Sequence, residues 1–164
     1  MDLAARLEQG DKSKAFVCWN INPAASNPEQ ARLQKALSND DLFTVVVDIF
    51  QTDTADYADY VLPAASFLEF DDLVSGYFNL SFSVQAKAAE PQGVSLPNQE
   101  IFRRLSRAMG YDEPELYESD TDMMDRTVES VGVAGGYAAL KAAGTIWPGS
   151  DPIMQFADFK FPTP

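Results

Sequence analysis

The chain contains no histidine and one cysteine, Cys18. Without a second cysteine no disulfide can form within it, and a Cys/His zinc site is nearly as firmly excluded. Triads that need histidine as general base are excluded as well. Bases are scarce too: 12 Lys and Arg stand against 25 Asp and Glu, a formal net charge of −13. That balance argues against nucleic acid or an anionic membrane as the main partner, although a local group of bases could still hold a phosphate. No apolar run reaches the length of a membrane span, and the opening "MDLAARLEQG" lacks a signal-peptide core. The chain therefore reads as cytoplasmic, with no membrane segment. No internal repeat and no low-complexity stretch interrupts it. The 164 residues, 46% of them hydrophobic, suffice for a core.

The order of elements predicts an α/β fold. "MDLAARLEQGDKSK" reads as a short helix closed by Gly10, and "KAFVCWN" as a strand covered on both faces. After the loop "INPAASN", Asn27 is expected to cap a helix with Pro28 at its first position, burying Leu33, Ala36 and Leu37. "LFTVVVD" is a second strand of the same apolar kind, so the two form a βαβ unit with parallel strands. "YVLP" is a third short strand stopped by Pro63. Beyond Ala65 alternation around "LSFSVQA" suggests an antiparallel excursion. Asn98 then opens the helix "QEIFRRLSRAMG", with Phe102, Leu105 and Met109 on one face, and two further helices follow, "TDMMDRTVESVG" and "YAALKAAG". The expected organisation is a Rossmann-like half domain with helices on its faces (1–66), a strand and loop excursion (67–97), and a helical segment with an irregular tail rich in proline and aromatics (98–164).

In open α/β sheets ligands sit beyond the carboxyl ends of parallel strands. Two loops leave such ends here, and they carry Asn20 and Asn22 in one and Asp48, Thr52 and Thr54 in the other. An acid closing the second strand can accept hydrogen bonds from a ribose hydroxyl, or from the paired N–H donors of a guanine edge. Neither loop is a GxGxxG or a Walker A sequence. A glycine-free loop of acids and hydroxyls suits gripping a base better than cradling phosphates. Equally open is that Asn22 and Asp48 do no more than cap turns.

The phrases "CWNINPAASNP", "LFTVVVDIFQTDTADYADYVLPAASFLEFDD", "AAEPQG" and "LPNQEIFRRLSRAMGY", in that order and spacing, resemble the later part of the molybdopterin oxidoreductases. That family includes formate dehydrogenases, nitrate reductases and dimethyl sulfoxide reductases. The resemblance runs over residues 5–112. It implies a molybdopterin guanine dinucleotide cofactor carrying molybdenum or tungsten. The contacts it implies are Asn20 to Asn22 in the first loop, Val47 and Asp48 ending the second strand, Phe70 after Glu69, and Asn98 at the later helix. Thr52 stands behind Asp48 as a further binding residue. Relatives often carry Lys or His at the position of Phe70, which here can offer backbone contact or stacking. They often carry Asp at the position of Asn98, which keeps a carbonyl acceptor and gains a donor.

Members of that family are several times longer, with the metal ligand and any iron–sulfur cysteines upstream of this region. The resemblance therefore implies a middle-to-late piece of an oxidoreductase, not catalytic in isolation, whose partners are the remainder of that enzyme and an electron-transfer subunit. Two other readings stay open: a non-catalytic scaffold relative in a respiratory complex, and a free-standing nucleotide-binding or interaction module. As a piece, the sheet would also be left with open edges and uncovered apolar faces, which predicts self-association.

Other constellations have plainer readings. Asp53, Asp56 and Asp59 recur every third residue; a cation site is conceivable, but a solvated acidic turn is preferred. Glu69, Asp71 and Asp72 read as a turn rather than an acid/base cluster, and Arg103, Arg104 and Arg107 as exposed helix charges rather than a phosphate clamp. Cys18 reads as a small core hydrophobe, and Trp19 and Trp147 as packing residues.

Overall fold

Asp2 accepts a hydrogen bond from the Ala5 amide (3.1 Å) and so caps α1, Leu3–Leu7. This computed structural model describes residues 2–10, 12–76 and 81–147. The tail beyond 147, rich in proline and aromatics, and residues 77–80 of the excursion lie outside the described residues. The chain divides into two compact units, Met1–Ser66 with Glu90–Leu105, and Phe67–Ala89 with the chain from Ser106 onward.

The first unit holds the parallel sheet. Strands β1 (Ala15–Trp19), β2 (Phe43–Asp48) and β3 (Tyr60–Pro63) lie side by side in that order, all parallel. In register, Val17 faces Val45, Trp19 faces Val47, and Asp48 faces Pro63. The crossover from β1 to β2 carries two helices, α2 (Pro23–Ser26) and α3 (Gln30–Leu37). The crossover from β2 to β3 is the polar loop, with a single 3₁₀ turn at Ala55–Tyr57. One sheet face is well covered: Leu7, Leu33, Ala36, Leu37 and Leu42 form a core against Phe16, and Cys18 and Val46 close over Ala55.

Two expectations need correcting here. Asn27 does not cap α3; it ends α2, and Glu29, in the left-handed region at φ 58°, precedes α3 instead. Two Asn-Pro pairs, Asn22-Pro23 and Asn27-Pro28, compete as helix starts, and the first takes the role. Nor, among the described residues, is the sheet covered on both faces. Val17 is 58% exposed, Phe43 49% and Tyr60 62%. Side chains alternate along a strand, so these residues point away from the covered side. On that second face the described cover lies near the strands' carboxyl ends, where Ile101 and Leu96 pack with Val47 and Ala64.

Ile101 belongs to α4, Asn98–Met109. Leu96 docks the chain before it, accepting from the Ala65 amide (2.8 Å) and donating to the Pro63 carbonyl (3.2 Å). Phe102 meets Trp19 edge-on at 5.1 Å. Contrary to expectation, Leu105 and Met109 are exposed, and so is Trp147.

The second unit pairs β4 (Asp72–Ser75) with β5 (Phe82–Gln85) in antiparallel register, as expected, and adds α5 (Asp120–Ser130) and α6 (Gly136–Ala143). Phe82, Val128 and Leu140 form its core. Ser119 caps α5 through the Asp122 amide (3.1 Å). Tyr137 joins the helices to the hairpin: its hydroxyl donates to Asp71 (2.8 Å) and its amide to Asp125 (2.7 Å).

Candidate functional site

The carboxyl ends of the three parallel strands carry most of the residues singled out from sequence. Asn20 leaves β1 in the left-handed conformation (φ 52°), which Asn tolerates better than most residues. Its amide donates to the Val47 carbonyl (3.0 Å), which extends the β1–β2 pairing by one step and sets Asn20 beside the end of β2. Val47 itself is buried, so it can meet a ligand only through its backbone.

Asp48 is half-buried at the same edge. Its Oδ1 accepts from the Ile49 amide (2.8 Å) and, at longer range, the Phe50 amide (3.4 Å). The carboxylate thus folds over its own loop as an Asx turn, and Oδ2 stays outside that turn. Asp48 caps a turn and still presents an acceptor oxygen.

Thr52 and Asn98 share one feature. Among the described residues, Thr52 Oγ1 and Asn98 Oδ1 are buried atoms without a hydrogen-bond partner, and so is Oε1 of the neighbouring Gln99. Leaving a buried acceptor unmade costs about 1–3 kcal/mol, so such atoms usually have a partner. Asn98 and Gln99 open α4, whose first turn packs through Ile101 on Val47 and Ala64. They therefore border the same sheet end as Asn20 and Asp48. Sequence reading missed Gln99; an amide at the second position of a helix, next to an amide already suspected, is the only signal it offered.

Asn22 behaves differently. Its Oδ1 accepts from the hydroxyl (2.7 Å) and the amide (3.1 Å) of Thr54, and its Nδ2 donates to Asp53 (2.9 Å). Its side chain is committed to the other loop. Phe70 is half-buried in the second unit, and the Glu69 side chain before it is buried.

The remaining acids and bases are engaged locally. Asp53 pairs with Asn22, Asp56 accepts from Gln51 (3.2 Å), and Asp59 accepts from the Thr44 amide (2.7 Å). Among the described residues no group of three or more acid or Cys side chains is placed to hold a metal. Asp71 accepts from the Lys87 amide (3.0 Å) as well as Tyr137, which together hold its carboxyl below the usual range. Arg104 pairs with Glu100 (2.9 Å), and Arg107 lies 5.3 Å over the Tyr117 ring. Cys18 is buried, its thiol near the Ile21 carbonyl (3.1 Å). Burial, then the charge of Asp48, pushes that thiol up to about 11, so it is inert as a nucleophile. No helix among the described residues is long and apolar enough to cross a membrane.

The sequence profile of the molybdopterin oxidoreductases matches residues 3–108. Over 123 residues the chain is 37% identical to the probable oxidoreductase YoaE of Bacillus subtilis, covering 75% of this chain and 18% of that protein. It is 35% identical over 147 residues to the alpha chain of the F420-dependent formate dehydrogenase of Methanocaldococcus jannaschii, covering 86% of this chain and 21% of that one. The catalytic chain of a putative dimethyl sulfoxide reductase of Halobacterium salinarum is 31% identical over 156 residues, covering 93% and 18%. The chain thus spans about a fifth of the length of the curated relatives it matches. Among solved structures, acetylene hydratase from Pelobacter acetylenicus shares the fold, with a TM-score of 0.75 over 90% of this chain and 20% of that one at 23% identity. By sequence profile and by these relatives, the chain belongs to the molybdopterin oxidoreductase family.

Proposed function

We propose that this chain binds the guanine dinucleotide portion of a molybdenum or tungsten pterin cofactor, as part of a molybdopterin-dependent oxidoreductase. The observation that carries the reading is the set of unspent acceptors at one sheet end: Thr52 Oγ1, Asn98 Oδ1 and the second oxygen of Asp48. Acceptors that lack donors suit a ligand edge rich in N–H and O–H groups. The Watson–Crick edge of guanine and the hydroxyls of ribose are such edges, and the cofactor of this family supplies both. A phosphate, which brings only acceptors, matches the Thr52 hydroxyl but neither Asn98 Oδ1 nor the Asp48 carboxylate.

In this reading Asp48 and Asn98 accept from the base or ribose, Thr52 adds a hydroxyl, and Asn20 and the Val47 carbonyl line the same rim. Phe70 contributes stacking or a backbone contact to the cofactor. Residues 1–66 form the core of the nucleotide-binding domain, with 67–97 and 98–164 as its appended segments. When bound, the cofactor supplies the electron and atom-transfer chemistry, while these residues orient its nucleotide arm. The full enzyme is an oxidoreductase working with further electron-transfer subunits, in line with the dehydrogenase and reductase names of its relatives. Iron–sulfur ligation, where present, lies outside this chain, as does the metal ligand. The protein works in the cytoplasm.

The test uses the 164-residue chain and two pterin preparations, one carrying the guanine dinucleotide and one without nucleotide. After gel filtration, oxidised-pterin fluorescence should co-elute with the chain only for the guanine form. Equal behaviour of the two preparations, bound or free, refutes the reading.

A further inference from the structure

Pro23 and Ala24 are the first two residues of α2, and Asn22 stands at its N-cap position. An N-cap asparagine ordinarily accepts from the amide two or three residues on. Here it makes no such bond. Thr54, 30 residues away, takes over: its Oγ1 accepts from the Ala24 amide at 3.0 Å. The same hydroxyl donates its proton to Asn22 Oδ1 at 2.7 Å, and the Thr54 amide adds a second bond to that oxygen at 3.1 Å. Nδ2 of Asn22 donates to Asp53 Oδ2 at 2.9 Å. Thr54 and Ala24 are fully buried. The cap of one loop has been exchanged for a residue of the other.

We propose that Asn22, Thr54 and Asp53 form a latch that fixes the two strand-exit loops against each other, making Asn22 a positioning residue rather than a ligand contact. The stereochemistry is demanding. Thr54 Oγ1 must accept and donate at once, which serine can do and valine cannot. Asn22 must accept twice through one atom and donate through the other. An aspartate there would keep the acceptor but set a second carboxylate against Asp53. On either side of the latch stand Asn20, with its left-handed backbone, and Thr52, with its orphaned hydroxyl. Slack in the latch therefore reaches both loops.

The polarity of the Asn22–Asp53 bond gives a discriminating test, in which the binding readout alone rests on the nucleotide reading above. Native-state amide exchange is measured at Ala24 and Thr54, together with GDP affinity by titration, in T54V, T54S, N22D and the double variant N22D/D53N. Thr54→Val and Asn22→Asp should each speed exchange at Ala24 or Thr54 about tenfold and weaken GDP, while Thr54→Ser stays within about threefold of the parent. The double variant restores an amide-to-carboxylate bond of reversed direction and should return exchange to within about threefold of the parent. General damage to folding would not be repaired by adding a second substitution. Unchanged exchange in T54V and N22D, or no recovery in the double variant, overturns the latch. If exchange follows the expected order while the parent shows no GDP binding, the latch stands and the nucleotide reading falls.

Discussion

Asp48→Asn separates the two jobs assigned to one side chain. Asparagine keeps Oδ1, so the bond to the Ile49 amide (2.8 Å) survives, and so does the turn. What changes is Oδ2, which becomes an NH2 group: an acceptor turns into a donor and the charge disappears. A hydrogen bond to a charged group contributes about 1.5–3 kcal/mol, roughly ten- to hundredfold in affinity. The turn should lose less than about 0.5 kcal/mol, as for an ordinary surface change. Asp48→Ala, by contrast, removes both functions and should cost about 1 kcal/mol of stability through the orphaned Ile49 amide. The assay pairs urea unfolding followed by tryptophan fluorescence with GDP titration by calorimetry. The expected pattern is parent-like unfolding with weakened binding for D48N, and loss of both for D48A. If D48N binds GDP as the parent does, Oδ2 does not face the ligand and the turn is the whole of its role; if D48N unfolds as easily as D48A, an uncharged Oδ1 does not hold the turn and the two jobs are not separable.

Four further outcomes follow from the packing and the charges. Leu33→Ala, at a side chain 1% exposed in the first unit's core, should lower stability by about 2–5 kcal/mol in denaturant titration. Gly136→Ala should disrupt the second unit, because an added Cβ would collide with the Asp125 carboxylate at a residue with φ 63°; a loss below about 1 kcal/mol on unfolding would contradict this. Tyr137 is pushed up to about 12 by burial and by its bond to Asp71, so its neutral form is the one the fold prefers. Its contribution should be intact below the unfolded phenol value of about 10 and be lost as pH rises from there towards 12, a loss that Tyr137→Phe should abolish in pH-dependent unfolding. The open sheet face bearing Val17, Phe43 and Tyr60 should make the chain self-associate; Tyr60→Lys should shift light scattering towards monomer, and a parent that is monomeric at high concentration would refute it.

The parallel sheet was legible because "KAFVCWN" and "LFTVVVD" lack the polar alternation of a half-solvated strand, and because capping residues punctuate the segment between them. Apolar runs do not say which face will find a cover, and Val17, Phe43 and Tyr60 show the cost of assuming both do. Cap grammar is local, so it could not choose between Asn22-Pro23 and Asn27-Pro28 when both fit a helix start. The helical period of α4 identified an apolar face, yet only Ile101 of that helix is buried. At the rim, Asp48 caps a turn through Oδ1, one of the two readings its sequence context left open, and Oδ2 takes no part in that turn. The hydrogen bonds of the Asn22 side chain were not readable, since its partners lie some 30 residues away and sequence spacing carries no trace of them.

The most direct measurement is an amide-resolved NMR titration of the chain with GDP, with ADP as control. Shifts confined to Asn20, Ile49, Thr52 and the first turn of α4, with GDP moving them and ADP leaving them in place, are the predicted result. Shifts scattered away from that rim, or identical responses to the two nucleotides, would contradict recognition of guanine at the carboxyl ends of the strands.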